Sequence, residues 1–220
     1  MINSDFRNPV NQRGKTSYVG TNEQAVYTID RWKTKCVTVT VNDSSITLSN
    51  NTSSAWGFSQ PFEDVLPEDM YTVSLKILSV TGSPYVRCEK ADGTNTSALN
   101  LTSTGILVTN AYGALKTLVI ALPAGSSVEL EWIKLEQGNV ATSFVPKHRA
   151  EEILNCYRFF YTQDSRLLMN QYSTQFADGN IYYPIRMRAI PKVTLLQGTY
   201  YCSSQSDFIA PASLIVNTNK

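Results

Sequence analysis

Hydrophobic and polar residues alternate along much of the first 137 positions. In CVTVTV (36–41) every second residue is a valine. In MYTVSLKILSV (70–80) one face carries four large hydrophobic side chains: Tyr71, Val73, Leu75 and Ile77. A period of two is the pattern of a half-buried strand, because successive side chains of a strand point to opposite faces. The alternation therefore predicts one strand over 36–41 and a longer one over 70–80.

Polar turn signals separate the other strand-like segments. The run Asn42-Asp43-Ser44-Ser45 precedes ITLSN, and SPYVRCEK leads into an Asp92-Gly93 turn. The segments ALKTLVIALPAG and SSVELEWIKLEQG complete the set. Short strands at regular spacing, with no helical pattern for about 130 residues, predict a mainly β fold: an antiparallel β-sandwich of the jelly-roll type.

The last of these strands changes register near Trp132. Val128, Leu130 and Trp132 share one face, but Ile133 and Leu135 continue on the other. A strand changes its hydrophobic face in this way when it carries an extra residue relative to its partner. We predict a β-bulge or an exchange of faces near Trp132.

After Pro146 the hydrophobic period becomes that of a helix. Five residues fall at helical spacing: Ala150, Ile153, Leu154, Tyr157 and Tyr161. Glu151 and Glu152 lie in the first turn, where carboxylates interact favourably with the helix dipole. Strand-like pieces follow, including YYPIRMRAIPKVTL, in which two prolines predict an edge strand or two strands joined by a turn.

The change of period divides the chain into two parts. We predict a jelly-roll domain at residues 1–146, and a linker helix with a small C-terminal β module at residues 147–220. A unit as small as the second part has difficulty forming its own core. It is therefore expected to dock on the first domain, to pair with copies of itself, or both. Ile153, Leu154 and Tyr157 are the predicted contacts at a subunit interface.

Charge is sparse and balanced. The net charge is +1, 17% of the residues are charged, and no basic cluster is present, which excludes nucleic acid as the expected partner. No apolar run approaches the ~20 residues that span a bilayer. The start, MINSDFRNPVNQRG, lacks the apolar core of a secretory signal. We therefore expect the chain to stay in the cytoplasm after synthesis or to leave without a leader.

Four cysteines, Cys36, Cys88, Cys156 and Cys202, lie far apart along the chain. They could be buried free thiols, disulfide partners or metal ligands. The spacing fits no zinc pattern, and free cysteine packs as a small hydrophobic residue. Buried free thiols are the prediction, with Cys156 on the inward face of the helix.

The sequence predicts no catalytic site, no metal and no cofactor; a structural Ca²⁺ held by loop carboxylates and carbonyls is the open alternative, without an EF-hand-type loop to support it. With His148 as the single histidine, neither a His-based triad nor a multi-His metal site can form within one chain; we expect His148 at the surface where the helix begins. Three carboxylate pairs could support glycoside cleavage, although solvated charge is the preferred interpretation: Glu63 with Asp64, Glu68 with Asp69, and Glu129 with Glu131. Asp30 and Arg31 in YTIDRW are predicted to form an ion pair that closes the sandwich.

Exposed aromatic rings among amide, hydroxyl and charged groups would suit a glycan ligand. Trp56 is the first candidate, because it lies in the polar stretch NNTSSAWGFSQ. Tyr85 and Tyr112 are further candidates in the first part, and Tyr182 and Tyr183 are candidates in the second. For each tyrosine, packing in the core or in an interface is the competing interpretation.

Three segments resemble domains of tail fibres and receptor-binding proteins of phages and prophages. They are INSDFRNPVNQRG with YTIDRW at the start, IKLEQGNVATSFVP with AEEILNCYRFFY at the join, and YYPIRMRAIPKVTL near the end. They cover about a third of the chain and occur in the expected order. The resemblance implies a carbohydrate-binding-module-like jelly roll and homotrimeric assembly at the distal end of a phage tail.

The leading hypothesis is a non-enzymatic, trimeric tail-fibre adhesin that binds a bacterial cell-surface polysaccharide. Such a protein would be made in the cytoplasm of the bacterial host and assembled with other tail proteins into the virion. One alternative is a structural spacer or trimerisation unit of a tail fibre. The second alternative is a glycan depolymerase, or its accessory carbohydrate-binding module.

Overall fold

The computed structural model describes residues 1–162 and 182–189, together with the backbone of residues 169–171 and 177–179. Residues 1–137 form antiparallel strands that pair into one continuous 11-stranded sheet, folded over so that two layers enclose a core. The prediction of a mainly β, antiparallel sandwich of the jelly-roll type is confirmed. Among the described residues, no helix is long and apolar enough to cross a membrane.

The strands follow one another along the chain. They are β1 (Ser17–Val19), β2 (Val26–Tyr27), β3 (Lys33–Thr34), β4 (Thr38–Val41), β5 (Ile46–Ser49), β6 (Trp56–Pro61), β7 (Glu68–Thr81), β8 (Tyr85–Lys90), β9 (Leu99–Asn100), β10 (Gly105–Leu122) and β11 (Ser127–Gln137). Helix α1 (Arg149–Tyr157) follows, and β12 (Met169–Gln171) pairs with β13 (Ala177–Gly179) beyond it.

Strand β10 belongs to both layers. The first sheet has the order β1-β4-β5-β11-β7 and ends on residues 105–114 of β10. The second sheet has the order β2-β3-β6, then residues 115–122 of β10, then β8 and β9. Gly113, at a φ of 135°, lies where β10 passes from one sheet to the other. Glycine adopts such a backbone conformation without the steric cost that a Cβ would add.

The core fills from both sheets and from the irregular start of the chain. The predicted inward face of β7 is confirmed, since its four hydrophobic residues at 71–77 are all at most 4% exposed. The rings of Trp32 and Phe58 stack at 4.4 Å with an interplanar angle of 4°, and Phe6 packs edge-on against Trp32 at 5.5 Å. The N-terminal segment, which gave few strand signals, therefore contributes a fully buried aromatic ring to the core.

The predicted irregularity near Trp132 is confirmed. Pairing of β11 with β7 shifts between Glu129 and Leu130 and again between Leu130 and Trp132. Leu130 thus points into the core, whereas Trp132 lies on the outer face of the first sheet. Trp132 is nevertheless only 6% exposed, because Phe144 stacks on it at 4.6 Å. The chain after β11 therefore folds back and covers the bulge.

Helix α1 packs with a different face from the predicted one. His148 is exposed and caps the helix, accepting a hydrogen bond from the Ala150 amide, as expected for its position. The buried helical residues are Glu152 and Cys156, while Leu154 is 42% exposed. The inward position of Cys156 is confirmed. Glu152 is buried because its carboxylate accepts a hydrogen bond from the backbone of the N-terminal segment.

The predicted ion pair between Asp30 and Arg31 is wrong. Asp30 pairs with Arg13 at 3.0 Å. Arg31 donates to the carbonyl of Pro61 at 2.6 Å and stacks on Phe159 at 3.6 Å. Arg31 has a φ of 73°, the left-handed conformation, so the backbone turns between the two residues and their side chains take different partners.

Three of the four cysteines are confirmed as buried free thiols: Cys36, Cys88 and Cys156. Burial raises the pKa of the Cys88 thiol to about 12, so it stays protonated and unreactive at neutral pH. Cys202 lies outside the described residues. Most of the predicted C-terminal module lies there too, and the boundary after residue 146 stays a prediction.

Candidate functional site

The outer face of the second sheet brings together two of the predicted glycan-binding residues. We call this surface the aromatic face and define it by seven residues: Lys35, Trp56, Ser59, Tyr85, Arg87, Val119 and Ala121. They come from β6, β8, β10 and the chain just after β3. Residues far apart in sequence thus become neighbours through strand pairing.

Strand register sets which side chains point outward. Ile120 of β10 pairs with Phe58 on one side and with Val86 on the other, and all three are fully buried. The neighbouring position, Ala121, pairs with Tyr85. Because paired residues share a face and successive residues alternate, Tyr85 points away from the core.

The next outward row repeats the arrangement with polar groups. Val119 pairs with Ser59 of β6 and with Arg87 of β8. Ala121 and Val119 therefore form a shallow floor, with Tyr85 and Arg87 along one side. Strands β6 and β8 flank β10, so their backbones are about 10 Å apart.

Trp56 stands at the other side of the floor. It pairs with Leu122, which is fully buried, yet Trp56 is 49% exposed. Pairing alone would put Trp56 on the core side, so its place on the aromatic face rests on Lys35, which follows the fully buried Thr34 and has its ammonium 4.1 Å from the ring centre of Trp56. Beside it, at Gly57, β6 comes so close to β10 that a Cβ would collide with the carbonyl oxygen of Ile120.

Basic groups accompany both rings. The Lys35 ammonium lies 4.1 Å from the centre of the Trp56 ring, and the Arg87 guanidinium lies 5.8 Å from that of Tyr85. Both are cation–π arrangements, which orient a ring while leaving much of it uncovered. The Nε of Arg87 is buried and has no hydrogen-bond partner among the described residues.

The other predicted aromatic candidates lie elsewhere. Tyr112 is 55% exposed on the outer face of the first sheet, where it pairs with Met70. Tyr182 is 79% exposed, and Tyr183 packs edge-on against Tyr161 at 6.0 Å. The five candidates therefore fall into three places, and only Trp56 and Tyr85 share one. Glycan contact by any of the five stays a prediction.

The predicted interface residues on α1 are only partly covered. Leu154 is exposed, Ile153 is half-buried, and Tyr157 packs edge-on against Tyr161 at 5.0 Å. A partly open apolar helix surface is compatible with a subunit contact, which also stays a prediction.

The carboxylates considered for catalysis take part in structural contacts. Glu63 pairs with Arg158 at 2.5 Å, and Glu131 pairs with Lys76 at 2.8 Å. Glu129 accepts hydrogen bonds from Ser45 and Ser79, at 2.5 and 3.3 Å. These contacts link neighbouring segments of the sandwich, and the absence of a catalytic role for the three carboxylate pairs stays a prediction. Among the described residues, no group of acidic, His and Cys side chains could hold a metal ion.

A second concave surface lies between the N-terminal segment, the chain after β11 and α1. Its volume is about 260 Å³, and its lining includes Asn3, Lys134, Lys147 and Glu152. Phe144 also lines it, but that ring is stacked on Trp132. This cavity offers mixed charges without a free pair of aromatic rings, so it suits sugar stacking less well than the aromatic face.

Lys35 and Arg87 were not among the sequence-predicted site residues. Arg87 could have been found by its position in SPYVRCEK, two residues after Tyr85, because residues two apart in a strand share a face. Lys35 gave no comparable signal, since its contact with Trp56 depends on the pairing of β3 with β6.

No protein-family model and no curated protein matches the chain. Solved structures give matches of low similarity. A family 29 carbohydrate-binding module from Piromyces equi aligns with a TM-score of 0.36 and 10% identity, over 55% of this chain and 91% of that one.

Two further matches are comparable. The CBM22-1 xylan-binding domain from Paenibacillus barcinonensis Xyn10C has a TM-score of 0.34 and 16% identity, over 57% of this chain and 94% of that one. An exo-beta-agarase has a TM-score of 0.38 and 7% identity, over 59% of this chain but only 25% of its own. These likenesses concern the sandwich in outline, and they carry no argument about function.

Proposed function

We propose that the protein is a non-catalytic glycan-binding domain that holds a sugar chain across the aromatic face. One observation carries the proposal: the half-exposed Trp56, with the Lys35 ammonium 4.1 Å from its ring centre, and the outward Tyr85 lie on the two strands that flank β10, next to Val119 and Ala121. Aromatic rings stack on the apolar faces of sugars, and polar groups beside them bind the hydroxyls.

The charges of the aromatic face favour an acidic polysaccharide. Lys35 and Arg87 lie beside the two rings, and Lys33 pairs with Ser59 one row further along β6. Carboxylate or phosphate groups on the sugar chain would be stabilised by these three cations. The affinity of such a site falls as salt concentration rises.

Binding to a panel of bacterial capsular and wall polysaccharides tests the proposal. Trp56→Ala and Tyr85→Ala are each expected to weaken binding about tenfold or more, because each removes one stacking surface. Tyr182→Ala is the control: it removes an exposed ring (79%) outside the aromatic face and should leave binding unchanged. Equal loss in all three variants, or in none, would contradict the assignment of the site.

The biological setting is the finer part of the proposal. We propose that the chain is a tail-fibre or receptor-binding domain of a phage, that it acts as a homotrimer in the virion, and that its ligand is a bacterial cell-surface polysaccharide. The resemblance at the start, at the join and near the end of the sequence supports this setting. So does the partly open apolar surface of α1. Three weak sites on one assembly would gain avidity, since later contacts form at high effective concentration.

Mass in solution and binding to intact cells test this setting together. The expected result is an assembly whose subunit number is divisible by three and which binds host cells through the aromatic face. Trimers that bind no cell or glycan would favour the structural spacer instead. Release of reducing ends from the polysaccharide, lost on replacing a carboxylate pair, would overturn the non-enzymatic proposal.

A further inference from the structure

The N-terminal half of β10 has an unpaired edge. Residues Gly105–Ala114 pair with β7 on one side. In the part of the chain that the structure describes, no strand pairs with the other side of Gly105–Gly113. We call these nine residues the open edge. An unpaired row of backbone N–H and C=O groups of this length is a template for another strand.

The other ends of the sheet are protected by being short. Its terminal strands β1, β2 and β9 have three, two and two residues. Natural proteins also block long edges with charged residues, proline or bulges. The open edge, GILVTNAYG, contains no charged residue and no proline, and its pairing with β7 is regular throughout. It therefore has none of these protections.

Side chains along the open edge form an apolar strip. Ile106, Val108 and Tyr112 lie on the outer face of the first sheet and are 60%, 45% and 55% exposed. Their spacing of two and four residues keeps them on the same face. Asn110 is the polar member of the row, and its amide oxygen accepts a hydrogen bond from Thr72.

We propose that the open edge pairs antiparallel with the open edge of a second copy of this chain. A second copy is the favoured partner for two reasons. The open edge carries no charge, so two identical edges do not repel each other, and a two-fold axis closes the pair without leaving a new edge. Nine paired residues form about nine backbone hydrogen bonds. A stable interface of standard size has about ten.

The glycines set the register of the pair. Gly105 and Gly113 have φ values of 106° and 135° and bound the open edge. A two-fold axis through Thr109 places each glycine opposite the other. That register also puts Ile106 opposite the partner copy's Tyr112 and Val108 opposite its Asn110. Aromatic side chains pair well with β-branched ones across strands, and the faces of the two sheets stay aligned.

A charged residue in the open edge tests the pairing. Val108→Lys is expected to halve the mass of the assembly in solution, because two lysines would lie beside the same two-fold axis. Val19→Lys is the matched control, since Val19 is an exposed valine (68%) on the short edge strand β1. An unchanged mass for folded Val108→Lys would overturn the proposal, and folding is checked by circular dichroism and thermal unfolding.

Crosslinking tests the register without depending on a disruptive variant. In a Cys202→Ser background, the remaining native thiols are buried. Thr109→Cys should then form covalent dimers in high yield with a short bis-maleimide, whereas Val19→Cys should not. Equal yields for both variants, or no dimer from Thr109→Cys, would contradict two-fold pairing. Binding of an unrelated extended peptide in place of a second copy would leave Thr109→Cys without homodimers and would likewise overturn it.

Discussion

Asp30 shows how burial competes with favourable contacts at a single residue. Its side chain is 1% exposed, and it receives hydrogen bonds from Gln12 at 2.6 Å and from Arg13 at 3.0 Å. Burial nevertheless dominates and raises the pKa of the Asp30 carboxyl to about 6, against the lowering effects of Gln12 and Arg13. The folded protein therefore holds a proton there between about pH 4 and pH 6, where the unfolded chain has released it.

This raised pKa predicts a stability change with pH. Because the folded state binds more protons than the unfolded state in this window, the contribution of Asp30 to stability is present below about pH 4. It is lost as the pH rises through about 6, and amounts to about 2–3 kcal/mol. Asp30→Asn should remove this dependence. From pH 4 to pH 7, the free energy of unfolding of the wild type should therefore fall relative to that of the variant. Urea unfolding across that range measures it. A constant difference, or a shift in favour of the wild type, would contradict the raised pKa.

At the scale of elements, the bulged strand β11 depends on the chain that follows it. Phe144 stacks on Trp132, and the Arg7 guanidinium lies 5.5 Å from the centre of the Phe144 ring. The Lys134 ammonium donates to the carbonyl oxygens of Thr142 and Ser143 at 3.1 and 3.2 Å. The covering segment is therefore fixed by one aromatic stack and a set of polar contacts.

Removal of the aromatic stack should weaken this cover. Phe144→Ala is expected to lower the free energy of unfolding by about 1–2 kcal/mol, because the indole of Trp132 loses its stacking partner and becomes exposed to water. Val145→Ala is the control, since Val145 is 76% exposed and its loss should change stability by less than about 0.5 kcal/mol. Equal effects of the two substitutions in urea unfolding would show that the stack contributes little.

The sequence predicted those elements whose signal is local. The inward face of β7 follows from alternation alone, and the bulge near Trp132 follows from a change of that alternation. The burial of Phe6 could not be predicted, because an irregular segment has no period. The first half of β10 was missed for a related reason: Ile106 and Val108 point to solvent, so hydrophobic residues occupy both faces.

The candidate site was predictable only one residue at a time. Trp56 and Tyr85 each showed an aromatic residue in polar surroundings, but 29 positions separate them in the sequence. Their proximity depends on β10, which pairs with both of their strands. The predicted pair of Asp30 and Arg31 failed because adjacency in sequence does not reveal a left-handed turn at Arg31.

At the scale of the whole molecule, the chain after the helix is attached to the sandwich by arginine–aromatic stacking. Arg31 stacks on Phe159 at 3.6 Å, and Arg13 stacks on Phe160 at 3.8 Å. Arg158 adds an ion pair to Glu63 in the loop after β6. The two predicted parts of the chain are therefore joined through the residues just beyond α1, more than through the helix face that the hydrophobic pattern indicated.

Loss of one stacked ring should loosen α1 without unfolding the sandwich. Phe159→Ala is expected to reduce protection of the α1 amides from hydrogen exchange about tenfold, since a partly buried cation–π contact is worth about 1–2 kcal/mol. Amides of β7 and β11 should keep their protection. Glu151→Gln changes an exposed side chain of the same helix and serves as the control. A uniform loss across helix and sandwich would indicate that the two parts unfold as one unit.

Because β10 passes through both sheets, it limits the distance between the two aromatic faces of the proposed pair. Ala121, in the floor of the aromatic face, lies twelve residues along β10 from the proposed two-fold axis at Thr109, which corresponds to at most about 40 Å of strand. Two aromatic faces in a pair would thus be separated by at most about 80 Å and held at opposite ends of the joined strands. Short oligosaccharides could fill each face singly, while only a long polymer could bridge both. Chain length of the glycan, and not only its chemistry, would then determine how tightly the assembly holds it.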